Sequence, residues 1–291
     1  MIAAVYHHYT KIKDRRGLTR ASHLTLITMF FNMLEIKAVP ILKDNYVWVI
    51  STANAEEVLV VDPGEAAPVL GYLAETRLKP AALLITHRHW DHTDGINAIV
   101  ARYPCPVYGP ASPAIPQVTR VLTEGDQPVV AGIPFTIMAI PGHTQEHIAY
   151  LHTSANGPWQ LFCGDTLFSA GCGRLLGGTA EQLKASLDRF KTLPADTIIH
   201  CTHEYTLANL EFASAVMPDN PALERYRERC IALRGNGQST LPTQLQTELE
   251  INPFLRCGFA EVRDAVAAET GPIGDDEQAV FTRLRQWKDR F

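Results

Sequence analysis

No two of the six cysteines are separated by only two residues, so the close thiol pairs of a structural zinc site are missing. A small secreted disulfide scaffold is also a poor reading, because Cys105, Cys163, Cys172, Cys201, Cys230 and Cys257 lie mostly in or beside apolar runs. They read as reduced core or ordinary surface thiols in a reducing compartment, taken as the cytoplasm. No apolar stretch reaches the roughly 18 residues that a membrane span needs. A basic excess is lacking too: 26 Lys and Arg stand against 31 Asp and Glu, a net charge of −5 that argues against gripping many phosphates of a nucleic acid. Glycine and proline, at 19 each, are near average, and 46% of the residues are hydrophobic, which excludes disordered and collagen-like classes. At roughly 150 residues per domain, 291 residues make one or two domains, each able to bury a core.

Residues 1–32 differ from the rest. They carry Lys11, Lys13, Arg15, Arg16 and Arg20 against a single acid, Asp14, followed by an apolar patch from Leu24 to Phe31. The pattern mimics a secretory signal, but the basic region is too long and no small-x-small cleavage site follows before Glu35. We read the segment as a poorly ordered upstream extension of a protein starting at Met33, with an organelle leader as the alternative.

From Glu35 onward, short β-type apolar runs alternate with helical spacings. Tyr46–Ile50, Val58–Val61, Ala81–Ile85, Phe135–Ile140, Gln160–Cys163 and Thr197–Ile199 read as strands. Ile96, Ile99 and Val100 fit one helix; Leu183, Leu187 and Phe190 fit another that opens on a capping box from Thr179 to Gln182. This interleaving predicts an α/β domain. After His203 the pattern turns helical over 207–217, 221–234 (Asn220 as N-cap, Gly235 just beyond), 259–268 and 277–288.

The runs finish on residues that bind metals. Val58–Val61 runs into Asp62, and Ala81–Ile85 into His87-Arg88-His89-Trp90-Asp91-His92. Phe135–Ile140 runs into Pro141-Gly142-His143, Gln160–Cys163 into Gly164-Asp165, and Thr197–Ile199 into His200 and His203. Ligating side chains at strand ends can converge on one sheet edge, held by a rigid scaffold yet open to substrate. His87 and His89 can share one metal while Asp91 and His92 turn to a second. Imidazole and carboxylate favour zinc, with iron or manganese as alternatives. His147, His152 and His200 read as packed histidines or as supports for the ligands, not as ligands themselves.

The string THRHWDHTDG (86–95), preceded by VDPG and followed by PGHT, CGDT and THEYT, resembles the metallo-β-lactamase superfamily. LKDNYVWVI (42–50), LFCGDTLFSAGCGRLLGGT (161–179), THEYTLANLEFA (202–213), INPFLR (251–256) and the terminal RLRQWKDRF narrow it to the hydroxyacylglutathione hydrolase (glyoxalase II) family. The resemblance covers 33–291. Arg88 and Trp90 fill positions where relatives often have histidine, and Leu176 sits where some place an aromatic.

The resemblance implies a four-layer αββα sandwich over 33–203 and a helical glutathione-binding domain over 204–291. It implies two divalent metals, one on His87, His89 and His143, the other on Asp91, His92 and His203, with Asp165 bridging. Asp91 and Asp165 would flank the bridging hydroxide that serves as nucleophile, and Asp62 would orient a ligating imidazole. Arg174, Tyr205, Arg285 and Lys288 would meet the glutathione. The implied reaction is hydrolysis of S-D-lactoylglutathione to glutathione and D-lactate, the second step of methylglyoxal detoxification, by a monomer without nucleic-acid or membrane partners. Three alternatives compete: a superfamily hydrolase of lactams, lactones or phosphodiesters, a mononuclear iron oxygenase of glutathione persulfide, and a non-enzymatic metal module.

Overall fold

The computed structural model describes residues 34–155 and 157–291, so the N-terminal extension lies outside the described residues. Strands β1 (Leu34–Ile41), β2 (Asn45–Thr52), β3 (Glu57–Val61), β4 (Lys79–Leu84), β5 (Val107–Gly109) and β6 (Arg120–Val121) form one sheet in that order. Strand β2 runs antiparallel to its neighbours β1 and β3, and β3 to β6 are parallel. The central strands β2, β3 and β4 are buried on both faces, being apolar at nearly consecutive positions, whereas β1 alternates with Glu35 and Lys37 and the short β6 is exposed. Val47, Val49, Val58 and Val60 face helices α1 (Ala66–Thr76) and α3 (Ile96–Arg102), meeting Val69, Leu73, Ile96 and Ile99. Tyr46, Trp48, Ile50, Leu59 and Val61 point the other way, as the two-residue period of a strand requires. Between α1 and α3 lies the short α2 (Trp90–Thr93).

Those inward side chains meet a second sheet. A small hairpin, β7 (Val129–Val130) with β8 (Ile133–Pro134), leads into β9 (Thr136–Ala139), β10 (Ile148–His152) and β11 (Gln160–Gly164). A second hairpin, β12 (Leu167–Phe168) with β13 (Gly171–Cys172), precedes α4 (Ala180–Lys191) and β14 (Ile198–Cys201). The large sheet runs β9, β10, β11, β14, with β11 and β14 parallel. Helix α4 presents Leu183, Leu187 and Phe190 to the core, each burial contributing about 1.5–3 kcal/mol. The capping box at its start is present as expected: Thr179 accepts from the Gln182 backbone, and the Gln182 side chain reaches back. Helix, sheet, sheet and helix make the four layers of the metallo-β-lactamase fold.

Past His203 come α5 (Thr206–Val216), α6 (Pro221–Gly235), β15 (Thr243–Gln244), α7 (Leu245–Ile251), α8 (Ala260–Thr270) and α9 (Glu277–Arg290). Asn220 caps α6 as expected, accepting from the N–H groups of Ala222 and Leu223, but Gly235 is the last helical residue rather than the first beyond it. The strand β15 was not expected in a helical tail. It pairs antiparallel with β14, so the chain returns to extend the second sheet. Phe254, Val262, Phe281 and Leu284 join the same core cluster as the inter-sheet residues, so the helical tail shares the catalytic sheet's core.

Candidate metal centre

Parallel pairing puts the metal-binding loops on one edge. Strands β3 and β4 end together at Asp62 and Thr86, and β11 and β14 at Asp165 and His203. A backbone bond from Tyr46 N–H to the Thr202 carbonyl, 2.7 Å, draws the two sheets together there.

His87, His89, His143 and Asp165 each present one ligand atom, all mutually within 4.8 Å; Asp91, His92 and His203 form a second such group. Asp165 lies between them. Its Oδ1 is 3.4 Å from His92 Nε2, and its Oδ2 is 3.3 Å from His203 Nε2 and 3.5 Å from His143 Nε2. The seven ligand residues expected from sequence are thus brought together.

What turns these rings inward is a set of partners on their far nitrogens, which fixes both tautomer and orientation. Asp62 accepts from Thr86 N–H at 2.8 Å and Thr86 Oγ1 at 2.7 Å, and holds His92 Nδ1 at 3.0 Å. His87 Nδ1 donates to Thr86 Oγ1, His143 Nδ1 to the Arg174 carbonyl, and His203 Nδ1 to Asp44. Asn45 Nδ2 donates to Asp91 Oδ2 at 3.0 Å. His147, read from sequence as packed, is buried: its ring stacks on His87 and its Nε2 accepts the Asp165 N–H. His152 and His200 are likewise buried away from the centre, on the Pro134 carbonyl and Gln160. Sequence reasoning gave Asp44, Asn45 and Thr86 no role. All three stand in the quoted strings, but only spatial proximity to an imidazole reveals their function.

The donor set fits divalent cations. His143 Nε2 is 2.9 Å and His87 Nε2 3.0 Å from His89 Nδ1, although the far nitrogens of His143 and His87 already carry the donated protons. Two nitrogen lone pairs, those of His143 and His87, therefore face His89 Nδ1, more than its single proton could satisfy, and a shared cation relieves this. His92 Nε2 and Asp165 Oδ1 are buried without a hydrogen-bond partner, an arrangement rarely left so in a folded protein.

Charge divides the centre into two halves. Burial, helped by neighbouring histidines, lowers His87 and His89 below the usual imidazole value, and burial lowers His143 despite Asp165. Those three are neutral ligands in waiting. Burial also opposes charge on His92 and His203, but Asp165 outweighs it, aided by Asp62 for His92 and by Asp91 and Asp44 for His203. They are held up at about 10 and about 11. Asp91 falls to about 2: burial opposes its charge, but the His203 hydrogen bond and His92 prevail. In the metal-free protein, protons on His92 and His203 stand in for a cation.

The four residues expected at the substrate differ in accessibility. Arg174 has a side chain 72% exposed, 4.0 Å from Asp289. Tyr205 is exposed and stacks on His203 with 4.5 Å between centroids. Lys288 donates to the Ala208 carbonyl beside the Phe212 ring; burial and nearby Arg285 lower it to about 8. Arg285 is only 3% exposed. Its Nη1 donates to the Cys172 and Gly173 carbonyls and its Nη2 to Asp289, so its guanidinium is engaged within the fold.

Two sheets under helices, with a His/Asp centre on their common edge, place the chain in the metallo-β-lactamase superfamily, whose family model matches residues 42–203. The hydroxyacylglutathione hydrolase C-terminus model matches residues 204–291. Within the superfamily the chain belongs to the hydroxyacylglutathione hydrolase family. It is 48% identical over 260 residues to the Aliivibrio salmonicida hydroxyacylglutathione hydrolase, covering 89% of this chain and all (100%) of that one. The Chromohalobacter salexigens hydroxyacylglutathione hydrolase is 47% identical over 259 residues, with the same 89% and 100% coverage. Among solved structures, the BLEG-1 B3 metallo-β-lactamase shares the fold at TM-score 0.57 and 22% identity, over 76% of this chain and 99% of that one. TTHA1623, solved in a di-iron-bound form, matches at TM-score 0.54 and 25% identity, over 75% of this chain and 100% of that one.

Proposed function

We propose that this chain hydrolyses the thioester of S-2-hydroxyacylglutathiones such as S-D-lactoylglutathione, releasing glutathione and a 2-hydroxy acid. The observation that carries the reading is the pair of ligand clusters joined at Asp165 in a chain that also has the family's own C-terminal segment. The clusters suit two divalent cations, one at His87, His89 and His143, the other at Asp91, His92 and His203, with Asp165 serving both. Zinc suits this donor set best, and iron or manganese are the alternatives. The di-iron form of TTHA1623 supports the count of two. When bound, such cations supply Lewis acidity and lower the pKa of water toward neutrality.

The chain's own residues set the geometry for that chemistry. Thr86, Asp62, the Arg174 carbonyl and Asp44 hold the far nitrogens of His87, His92, His143 and His203, so each of these rings turns its other nitrogen to the centre, where a cation would displace the proton that His92 and His203 carry without it. Asp91 and Asp165 remain ionised at neutral pH and hold negative charge against the cations. Among the described residues, none at the centre is left over as a general acid, and a thioester needs none: a thiol with a pKa of about 8.5 departs as thiolate. An amide leaving group would need a proton. Beyond the centre, Arg174 and Lys288 suit the two carboxylates of glutathione, and Tyr205 offers a ring and a hydroxyl. Arg285 serves them indirectly, by holding the Gly173 carbonyl beside Arg174.

A cytoplasmic monomer fits the six free thiols, five of them buried, and the covering of both sheets by the chain's own helices. No described helix is long and apolar enough to cross a membrane. The test is free thiol released from S-D-lactoylglutathione, with metal analysis of the same sample. Turnover by two equivalents of metal supports the reading, and metal loading without turnover overturns it.

A further inference from the structure

Arg88 stands between the ligands His87 and His89 yet turns away from the centre. Its backbone N–H donates to Glu146 Oε1 at 3.1 Å, its Nη1 pairs with Glu146 Oε2, and its Nη2 donates to the Leu176 carbonyl at 3.1 Å. Leu176 belongs to the irregular stretch 173–179, which has no helix or strand to hold it and is largely exposed from Arg174 to Gly177. That stretch touches the centre at two further points: Leu176 N–H donates to the His143 carbonyl at 2.9 Å, and the Arg174 carbonyl accepts from His143 Nδ1 at 2.8 Å. Gly177 has φ +133°, and a Cβ there would lie 2.8 Å from Arg88 Nη2, so the loop is folded directly onto the guanidinium.

We propose that Arg88 is a positioning residue for the glutathione half of the substrate. Anchored by Glu146, its guanidinium fixes the 174–178 loop so that the exposed Arg174 side chain, near Asp289, is placed before substrate arrives. The planar fork suits this task because it grips a carboxylate and a carbonyl at once, which a lysine ammonium on a flexible stem does poorly. Pre-ordering the loop spares the entropy that substrate would otherwise have to supply, so the benefit falls on binding. The inference rests on the hydrolase reading above.

The experiment compares parent, Arg88→Met, Arg88→Lys and Glu146→Gln, each loaded with zinc and checked for metal content. Two substrates are used: S-D-lactoylglutathione and the N-acetylcysteamine thioester of lactate, which lacks the glutathione carboxylates. Hydrogen exchange over 173–178 supplies a readout independent of turnover. Arg88→Met should keep its metal, exchange faster in this segment, and raise KM for the glutathione thioester about 10-fold, the effect of losing one charge-assisted contact. The small thioester should lose far less, and Arg88→Lys should fall between parent and Arg88→Met. Unchanged exchange with unchanged KM overturns the proposal. Equal losses on both substrates, accompanied by lost metal, also overturn it, since Arg88 would then merely support the ligands. A parent inactive on both substrates would instead refute the hydrolase reading, while the exchange comparison would still judge the clamp.

Discussion

Asp62→Asn separates the orientation of a ligand from the stability of the fold. Asp62 is 1% exposed and has φ +52°, a left-handed conformation that asparagine tolerates well, so the backbone should hold. The new side chain keeps one oxygen for the Thr86 N–H but turns an NH2 toward Thr86 Oγ1 and His92 Nδ1. His92 Nδ1 must then accept, and its proton moves to Nε2, the atom that faces Asp165 and Asp91 at 3.4 and 3.6 Å. An Nε2 carrying a proton has no lone pair for a metal. The expected loss is about 10–100-fold in affinity for one metal, roughly 1.4–2.7 kcal/mol. A second effect runs the other way. In the parent, metal must displace a proton that Asp165 and Asp62 hold on His92 against burial up to about pH 10. With Asp62 neutralised that proton leaves at lower pH, so competition weakens. The affinity deficit should therefore be smallest near pH 6 and grow toward pH 9. Zinc titration against a competing chelator at several pH values measures it. Equal affinities throughout, or a deficit that shrinks as pH rises, would refute the tautomer argument.

Asp165→Ala should lose both metals and nearly all turnover together, because its two oxygens face both clusters; retention of two tightly bound metals, measured by elemental analysis, would break the binuclear assignment. In chelated protein, the raised pKa values of His92 and His203 add stability that is fully present below pH 6.5 and is lost as pH rises through about 10. The thermal midpoint of the metal-free form should accordingly fall across that window, after allowance for the parent's other titrations. Lys288 is charged below about pH 8, so kcat/KM for S-D-lactoylglutathione should decline above it, a limb that Lys288→Arg removes because guanidinium stays protonated. Arg285→Met should lower the thermal midpoint along with raising KM for the glutathione thioester, since the guanidinium it removes is committed to the Cys172 and Gly173 carbonyls; a raised KM with an unchanged thermal midpoint would return Arg285 to direct substrate contact.

The clustered histidines and aspartates were legible in sequence because each follows a strand-like run, and strand ends are where a sheet edge gathers loops. The strands themselves were visible from their Val, Ile and Leu runs: Val58–Val61 and Gln160–Cys163 each lie within one residue of the observed limits. Helix α1 was not foreseen, although Val69 and Leu73 bury the spacing of one helical face. Nor was β15, since Thr243 and Gln244 carry no strand signal alone and become a strand only by lying against β14.

By itself, then, the sequence settled the residue types, their order along the chain and, through the quoted motifs, the family. Those are local properties, written in side-chain chemistry and in periods of two or 3.6 residues. Which imidazole nitrogen faces inward was decided only by tertiary contacts between distant segments. Asp44 reaches His203 across 159 residues of chain, and Asp62 reaches His92 across 30. The same holds for Arg285, a basic residue near the C-terminus in sequence that is a buried tie to Cys172, 113 residues away, in the fold. Spacing along a chain carries no information about such pairs, because two sheets must first pack before their loop ends can meet.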